Sequence, residues 1–443
     1  MTRRLSLLCF VSSLAAGLWS RAHLRHPSLP CRASPPQGGR LDGALSRSSS
    51  TSRFERGFRR LPISPLEGEM PGRAEGGKLR VHRLAALLLA TGFAIPAFAQ
   101  EATPPELTDA NVGAVMAQAV DDVIRPGYRA FHASAGALAK ATAAFCKAPS
   151  EDSRKVLDAA FRQAVTDWGR IEIVRIGPVL NDNRFERILF YPDRKSTGLK
   201  QVQALLQQPD EADTDPANMA GKSVAIQGFG ALEFVLYGTG SETLMSAPES
   251  FRCRYGAAVA THIEATAGQL AAAWDAPDGV QQDWKHPGPQ NPVFRTGKEA
   301  MTALLGILVH GAEAVRDQRI ETFYRNGGTA RPKSAVFWRS GNTWTSIDAN
   351  FEGLQTLFDK SGIAEFVDPG HTSLSGNVDF VLTALRNVVR TADPDIEKAV
   401  TTPAEQQKIA FLLVNTRDLI VSLNGDFGGA IGLGAGFSFA DGD

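Results

Sequence analysis

The chain lacks the short motifs by which many enzymes are recognised. It has no H-E-x-x-H pair for zinc and no G-x-S-x-G elbow for a nucleophilic serine. Gly432, Gly434 and Gly436 near the C-terminus show neither G-x-G-x-x-G spacing nor a strand–loop–helix context, which excludes a phosphate loop there. Alternating apolar–polar runs are scarce, so strands are few at most. Net charge is absent too, with 47 Lys and Arg against 47 Asp and Glu. That balance conceals an asymmetry. Residues 1–99 carry 15 basic and 5 acidic side chains, leaving 32 basic and 42 acidic in the remainder. An acidic body argues against nucleic acid as a partner, because phosphate contacts need a basic surface.

Cysteine is rare. Of 4 in the chain, Cys9 and Cys31 fall within the first hundred residues, leaving Cys146 and Cys253. In an exported body two cysteines predict one disulfide; the alternative is two free buried thiols.

The export reading comes from residues 78–99. Lys78 to Arg83 is basic, Leu84 to Ile95 is a short apolar run, and Ala97-Phe98-Ala99 gives an A-x-A site before Gln100. This is the pattern of a secretory signal peptide, with a mature start near Gln100 and a periplasmic destination. The apolar run is too short for a stable membrane anchor, and no transmembrane helix is expected in the mature chain. Gln100, rather than a cysteine, follows the cleavage site. The signal lies far inside the chain, so the start is expected to be assigned too far upstream, with Met70 the better initiator. A leader at residues 1–20, apolar from Leu5 to Leu18 behind Arg3-Arg4, is the alternative. Residues 1–99 are left out of fold reasoning either way.

What is plentiful is helical periodicity. It predicts helices over 109–147, with a break or kink at Pro126-Gly127, then over 151–176, 197–208, 222–237 and 248–274. Ser150 is a good N-cap and Gly177-Pro178 a stop. A Gly- and Pro-rich stretch at 276–292 reads as a domain linker. Helices are expected again over 296–325, 344–360, 374–391 and 403–424. The fold class predicted is all-α, with two four-helix-bundle domains. Residues 100–280 form the N-terminal bundle, and residues 281–443 form the C-terminal bundle with a Gly-rich tail.

One stretch stands out: Q-G-F-G-A-L-E-F-V-L-Y-G, residues 227–238. As a helix it is apolar nearly all round, which marks it as buried, yet it carries Glu233. An unpartnered carboxylate there would cost several kcal/mol. Gly228 and Gly230 each cost about 1 kcal/mol against alanine inside a helix. Gly230 leaves a gap beside Glu233. The gap either admits a ligand or partner backbone, or allows close helix packing with Glu233 satisfied by an arginine of the other bundle.

This stretch resembles the G-x-H-x-x-E hallmark of the imelysin-like family, with Gly228-Phe229-Gly230-Ala231-Leu232-Glu233 followed by FVLYG. Other pieces agree in order: YRAFHASAGALAKATAAFCKAP, AVTDWGRIEIVRIGP, ERILFYPDRK and RPKSAVFWRSGNTWTSIDANFEGL. The likeness runs from about residue 108 to the C-terminus. The resemblance implies an all-α protein of two four-helix-bundle domains packed around an interdomain cleft that the motif faces, an envelope role linked to iron uptake or regulation, and a metal held by the His and Glu. The family was once classed among metallopeptidases. Here glycine occupies the histidine position, so only Glu233 carries over. Peptidase activity and the usual metal binding are both put in doubt.

Other ligands could replace the lost histidine. His310 and Glu313 share a helix face; His262 and Glu264 do not; His132 sits beside Phe131 on the first long helix. Trp168, Glu172 and Arg175 recur at one-turn spacing on the second helix, and Arg339 and Ser340 follow Phe337-Trp338. The candidate ligand-binding set is therefore Gly228, Gly230, Glu233, Trp168, Glu172, Arg175, Arg339, Ser340 and His132, each against a plain packing role. The expected function is binding of a small ligand or envelope protein at the cleft, linked to iron or solute uptake, without protease activity. Iron or another divalent metal is the cofactor the resemblance suggests. The alternatives are a metal-dependent peptidase or hydrolase drawing on His132 or His310, and a structural adaptor in which Glu233 serves only a buried ion pair.

Overall fold

The computed structural model describes residues 106–436. The leader with its signal peptide, Met70, the Gln100 start and residues 437–443 lie outside the described residues. Among the described residues every regular element is helical.

The first long pattern folds as two helices in line. α1 (Asp109–Gln118) passes through a wide turn, Ala119–Ile124, into α2 (Arg125–Lys147). Pro126 accounts for the turn, since it has no N–H to reach the carbonyl four residues back. Arg125 N–H reaches Val120 O, five residues back, and the helix continues without a break. α3 (Glu151–Ile171) starts on a capping box. Ser150 Oγ accepts from Ser153 N–H at 3.1 Å, and Ser153 Oγ accepts from Ser150 N–H at 2.9 Å. Glu151 and Asp152 in its first turn favour the positive end of the helix dipole. The helix ends at Ile171, not at 176 as the periodicity suggested. Its continuation curls into tight turns that bury Ile173 and Val174.

After α4 (Thr197–Gln207) comes α5 (Gly228–Tyr237), the glutamate-bearing helix, and then α6 (Phe251–Asp275). α5 does not begin at 222. Val224–Ile226 is a single 3₁₀ turn, and the chain reverses at Gly228 before the helix starts. The second half supplies α7 (Gly297–Ala314), α8 (Thr343–Lys360), α9 (Ser373–Arg390) and α10 (Pro403–Val421).

α2 packs on α3 and α6, and α5 packs on α6; α8 packs on α9, α9 on α10, and α7 on both α8 and α10. α1 lies against α7, so the chain passes along the second group of helices before building the first. The two groups meet where α3 crosses α8. A Cβ on Gly353 would lie 2.1 Å from Arg170 O, and one on Gly169 would lie 2.7 Å from the Ala349 Cβ, so the crossing needs both glycines. Both groups feed one hydrophobic cluster, which includes Phe131, Phe161, Trp168, Phe229, Leu305 and Phe351. The described residues lie within one contact unit, Phe98–Asp443.

Cys146, at the end of α2, and Cys253, at the start of α6, form a disulfide with Cα atoms 5.5 Å apart. The bond closes a loop that contains α3, α4 and α5.

Candidate functional site

Glu233 points out of α5 toward the second half of the chain. Its carboxylate is buried, with 5% of the side chain exposed. The partner is a tight turn just before α8. Ser340 N–H donates to Glu233 Oε1 at 3.0 Å, and Ser340 Oγ donates to the same oxygen at 2.9 Å. Arg339 Nη1 stands 3.8 Å from Glu233 Oε2, close enough for charge attraction but not for a hydrogen bond.

The turn is held in place independently of Glu233. Phe337 packs edge-on against Phe161 and Phe229, anchoring the turn to α3 and α5. Asn342 N–H donates to Phe337 O at 3.0 Å, and Thr343 Oγ1 donates to Val336 O at 2.6 Å. The far end of α5 is fixed by two guanidinium groups. Arg252 donates to Phe234 O and Val235 O at 2.7 and 2.9 Å, and Arg154 donates to Leu236 O at 3.1 Å. These cations complement the negative end of the helix dipole. Neither arginine was singled out from the sequence, because arginine in the first turn of a long helix reads as surface.

Burial pushes the Glu233 carboxyl above its ordinary range, partly offset by the Ser340 hydrogen bonds and by Arg339. The sign of the resulting pH dependence follows. Above about pH 4.5 the unfolded chain gives up this proton while the folded chain still holds it, so stability declines as pH rises toward the folded-state value. Glu233→Gln removes that decline. Urea unfolding at about pH 4 and about pH 7 should show the variant gaining on the wild type at the higher pH.

The two glycines have different reasons. Gly228 has φ of +71°, and a Cβ there would lie 2.3 Å from Ile188 O and 2.5 Å from Arg187 O. It fits the chain reversal at the start of α5 and faces no ligand. Gly230 is exposed, and a Cβ there would meet nothing within 4 Å. It opens onto a cleft of about 460 Å³ lined by Glu233, Phe234, Tyr191, Trp338 and Arg339 among others. Gly228→Ala is therefore expected to cost about 1–3 kcal/mol from the left-handed backbone alone. Gly230→Ala should be neutral or stabilising by about 0.5–1 kcal/mol. Denaturant midpoints of the two variants check the contrast.

The structure thus brings Gly230, Glu233, Arg339 and Ser340 together. It does not bring Trp168, Glu172, Arg175 or His132 to them. Trp168 is fully buried between Phe131 and Phe185. Because α3 stops at Ile171, Glu172 and Arg175 leave the helical face they were expected to share. Glu172 accepts from Arg319 Nη2 at 2.6 Å and from Asn350 Nδ2 at 2.7 Å, in a fully buried cluster. Arg175 lies 4.1 Å over the Phe185 ring and pairs with Glu186. Glu172 and Arg175 line a second cavity of about 290 Å³, which also takes His310 and Glu313. His310 Nδ1 and Glu313 Oε2 are paired at 3.0 Å. His132 pairs with Glu264 at 3.1 Å on the surface, and His262 is buried alone.

A metal at Glu233 is not supported by its neighbours. The cleft lining contains no histidine. Among the described residues no group of three or more His, Cys, Asp and Glu converges as a metal site would require. One oxygen of Glu233 is already engaged by Ser340, and the nearest charge is a guanidinium.

Comparison with known proteins places the chain. It superposes on an imelysin-like protein from Psychrobacter arcticum with a TM-score of 0.62, at 16% identity, covering 76% of this chain and 99% of that one. It also superposes on a Parabacteroides distasonis protein that carries the name of an iron-regulated protein A precursor. There the TM-score is 0.60 and the identity 14%, with 75% and 96% covered. At such identities the likeness shows a shared fold. No curated protein matches. No described helix is long and apolar enough to cross a membrane. The family model Peptidase_M75, Imelysin, matches residues 124–423, well over half of the sequence, and the chain belongs to that family.

Proposed function

We propose that this imelysin-family member is an exported protein of the cell envelope that binds a small solute in the cleft beside Gly230 and Glu233, and that it does not act as a protease. In this reading residues 189–234 from the first half of the chain and 317–339 from the second are the two walls of the cleft. The observation that carries the proposal is the pairing of an open glycine with a buried carboxylate. Gly230 leaves its space to the cleft, while Glu233 is fixed from the opposite wall by Ser340. A buried acid held in one geometry beside empty volume is a preorganised recognition feature. The signal-peptide pattern before Gln100 supports export. The name of the P. distasonis structure supports a link to iron.

Peptide hydrolysis through a metal needs a second and third ligand near Glu233; the lining offers no histidine, its other carboxylates Asp193 and Asp317 are bonded elsewhere, and among the described residues no three such groups converge. The test is extraction of small molecules from protein purified under native conditions. Wild type should carry a solute that Gly230→Trp, whose side chain fills the cleft, does not carry. Identical extracts from both proteins would sink the reading.

A further inference from the structure

The charge of the cleft goes further than its shape. Its lining contains five cationic side chains, Arg194, Arg325, Arg331, Lys333 and Arg339, against the acids Asp193, Glu233 and Asp317. The acids are largely spoken for. Asp193 accepts from the Thr197, Gly198 and Leu199 N–H groups at the start of α4, at 2.6, 3.0 and 3.3 Å. Asp317 is bonded by Arg316, which lies outside the lining. Glu233 is bonded by Ser340.

Three of the five cations meet no carboxylate among the described residues, and the other two meet one only at 3.6–3.8 Å. Among the described residues Arg194 and Arg331 meet no carboxylate, and Arg325 meets only the Glu321 carbonyl, at 3.2 Å. Lys333 stands 3.6 Å from Glu397. Arg339 is the inner member of the set. Its side chain is 19% exposed, and its guanidinium lies 4.5 Å over Trp338 and 5.4 Å from the Phe234 ring centre. Its N–H donors have no hydrogen-bond acceptor among the described residues. Burial lowers the pKa of this guanidinium, and Glu233, at 3.8 Å and without a hydrogen bond to it, offsets that only in part.

The contrast with the rest of the chain sharpens the point, since residues 100–443 hold 32 basic and 42 acidic side chains. A basic cleft in an acidic body concentrates small anions there and repels divalent cations. From this arrangement we infer that the cleft binds a small molecule with several oxyanion groups, such as a polycarboxylate or a phosphate compound. Arg339 reads one group bidentately and the outer four cations read the others. This inference rests on the solute-binding reading above and names the ligand class for it. Guanidinium forks match carboxylate and phosphate alike, so the source of the oxyanions is left to the experiment.

That experiment is calorimetry and thermal shift on the mature chain in about 20 mM NaCl, where surface charge is weakly screened. The probes are citrate, citrate loaded with Fe(III), and pyrophosphate, with the zwitterion betaine as control. At least one polyanion should bind and raise Tm, and betaine should not. Preference for citrate, for its ferric form or for pyrophosphate identifies a free carboxylate solute, a chelated metal cargo or a phosphate source. Affinity should fall about tenfold or more in about 0.3 M NaCl. It should fall about tenfold again in Arg339→Gln, and measurably in Arg331→Gln, which is exposed and cannot disturb the fold. Absence of polyanion binding at low salt overturns the inference. So does binding that Arg331→Gln, Arg339→Gln and Gly230→Trp all leave unchanged. If polyanions fail while native extracts still show a solute lost in Gly230→Trp, the ligand class is wrong and the cleft reading survives.

Discussion

Replacing Cys146 and Cys253 by serine should lower the stability of the protein by about 4–5 kcal/mol. The bond spans a sequence separation of 107 residues. Cross-linking so long a loop removes that much conformational freedom from the unfolded chain in the chain-entropy account. The effect should not stop at global stability. Arg252, next to Cys253, holds the last carbonyls of α5, and Glu249 N–H donates to Cys146 O at 2.9 Å. Releasing the disulfide therefore loosens the end of the helix that carries Glu233. Urea unfolding with and without reductant measures the first effect. Hydrogen exchange of the α5 amides measures the second, with earlier loss of protection there than in α8. A change below about 1 kcal/mol would show that α2 and α6 are already held together by packing alone.

Glu172→Ala should cost about 3–5 kcal/mol, although Glu172 touches no ligand in this account. The substitution leaves the Arg319 guanidinium buried without its carboxylate, and an uncompensated buried charge is among the most damaging single changes. The environment offers little relief. Arg319 Nη1 already has no hydrogen-bond partner, and Asn350 would lose the Oε1 acceptor on Glu172. Removing both charges in Glu172→Leu/Arg319→Met should recover most of the loss, because two apolar side chains of similar volume need no pairing. A thermal-unfolding double-mutant cycle reads the coupling directly. If Glu172→Ala alone were as stable as wild type, water would have to reach Arg319. If the double variant were as unstable as the single one, packing rather than charge would explain the pair.

Much of this architecture was legible in the sequence. The spans of α3, α6, α8 and α10 follow the apolar period closely at their starts, where capping and proline signals are local. The all-α class follows from the same period and from the scarcity of alternation. Glu233, Gly230, Arg339 and Ser340 were all named, although the sequence alone could not say that a turn before α8 closes on α5. The errors have physical causes. Trp168, Glu172 and Arg175 were grouped on one helix face, but the helical period carries no information once the chain leaves the helix after Ile171. Gly228 was counted as an interior helical glycine, whereas its role is a left-handed reversal set by the carbonyls of residues 187 and 188. Arg194, Arg325, Arg331 and Lys333 were missed because they sit on irregular segments, and only the tertiary fold gathers them around one cleft. Arg331 and Lys333 lie within RPKSAVFWR, so the signal was present as a cluster of basic residues around two aromatics.

On the reading proposed above, Glu233 serves a solute-binding cleft and is not half of a resident metal site. Elemental analysis of the protein purified without chelator, as wild type and as Glu233→Gln, checks this. The expected result is the same transition-metal content per chain in wild type and in Glu233→Gln, whether that is none or a chelated cargo. One equivalent of metal in the wild type that Glu233→Gln loses would contradict it.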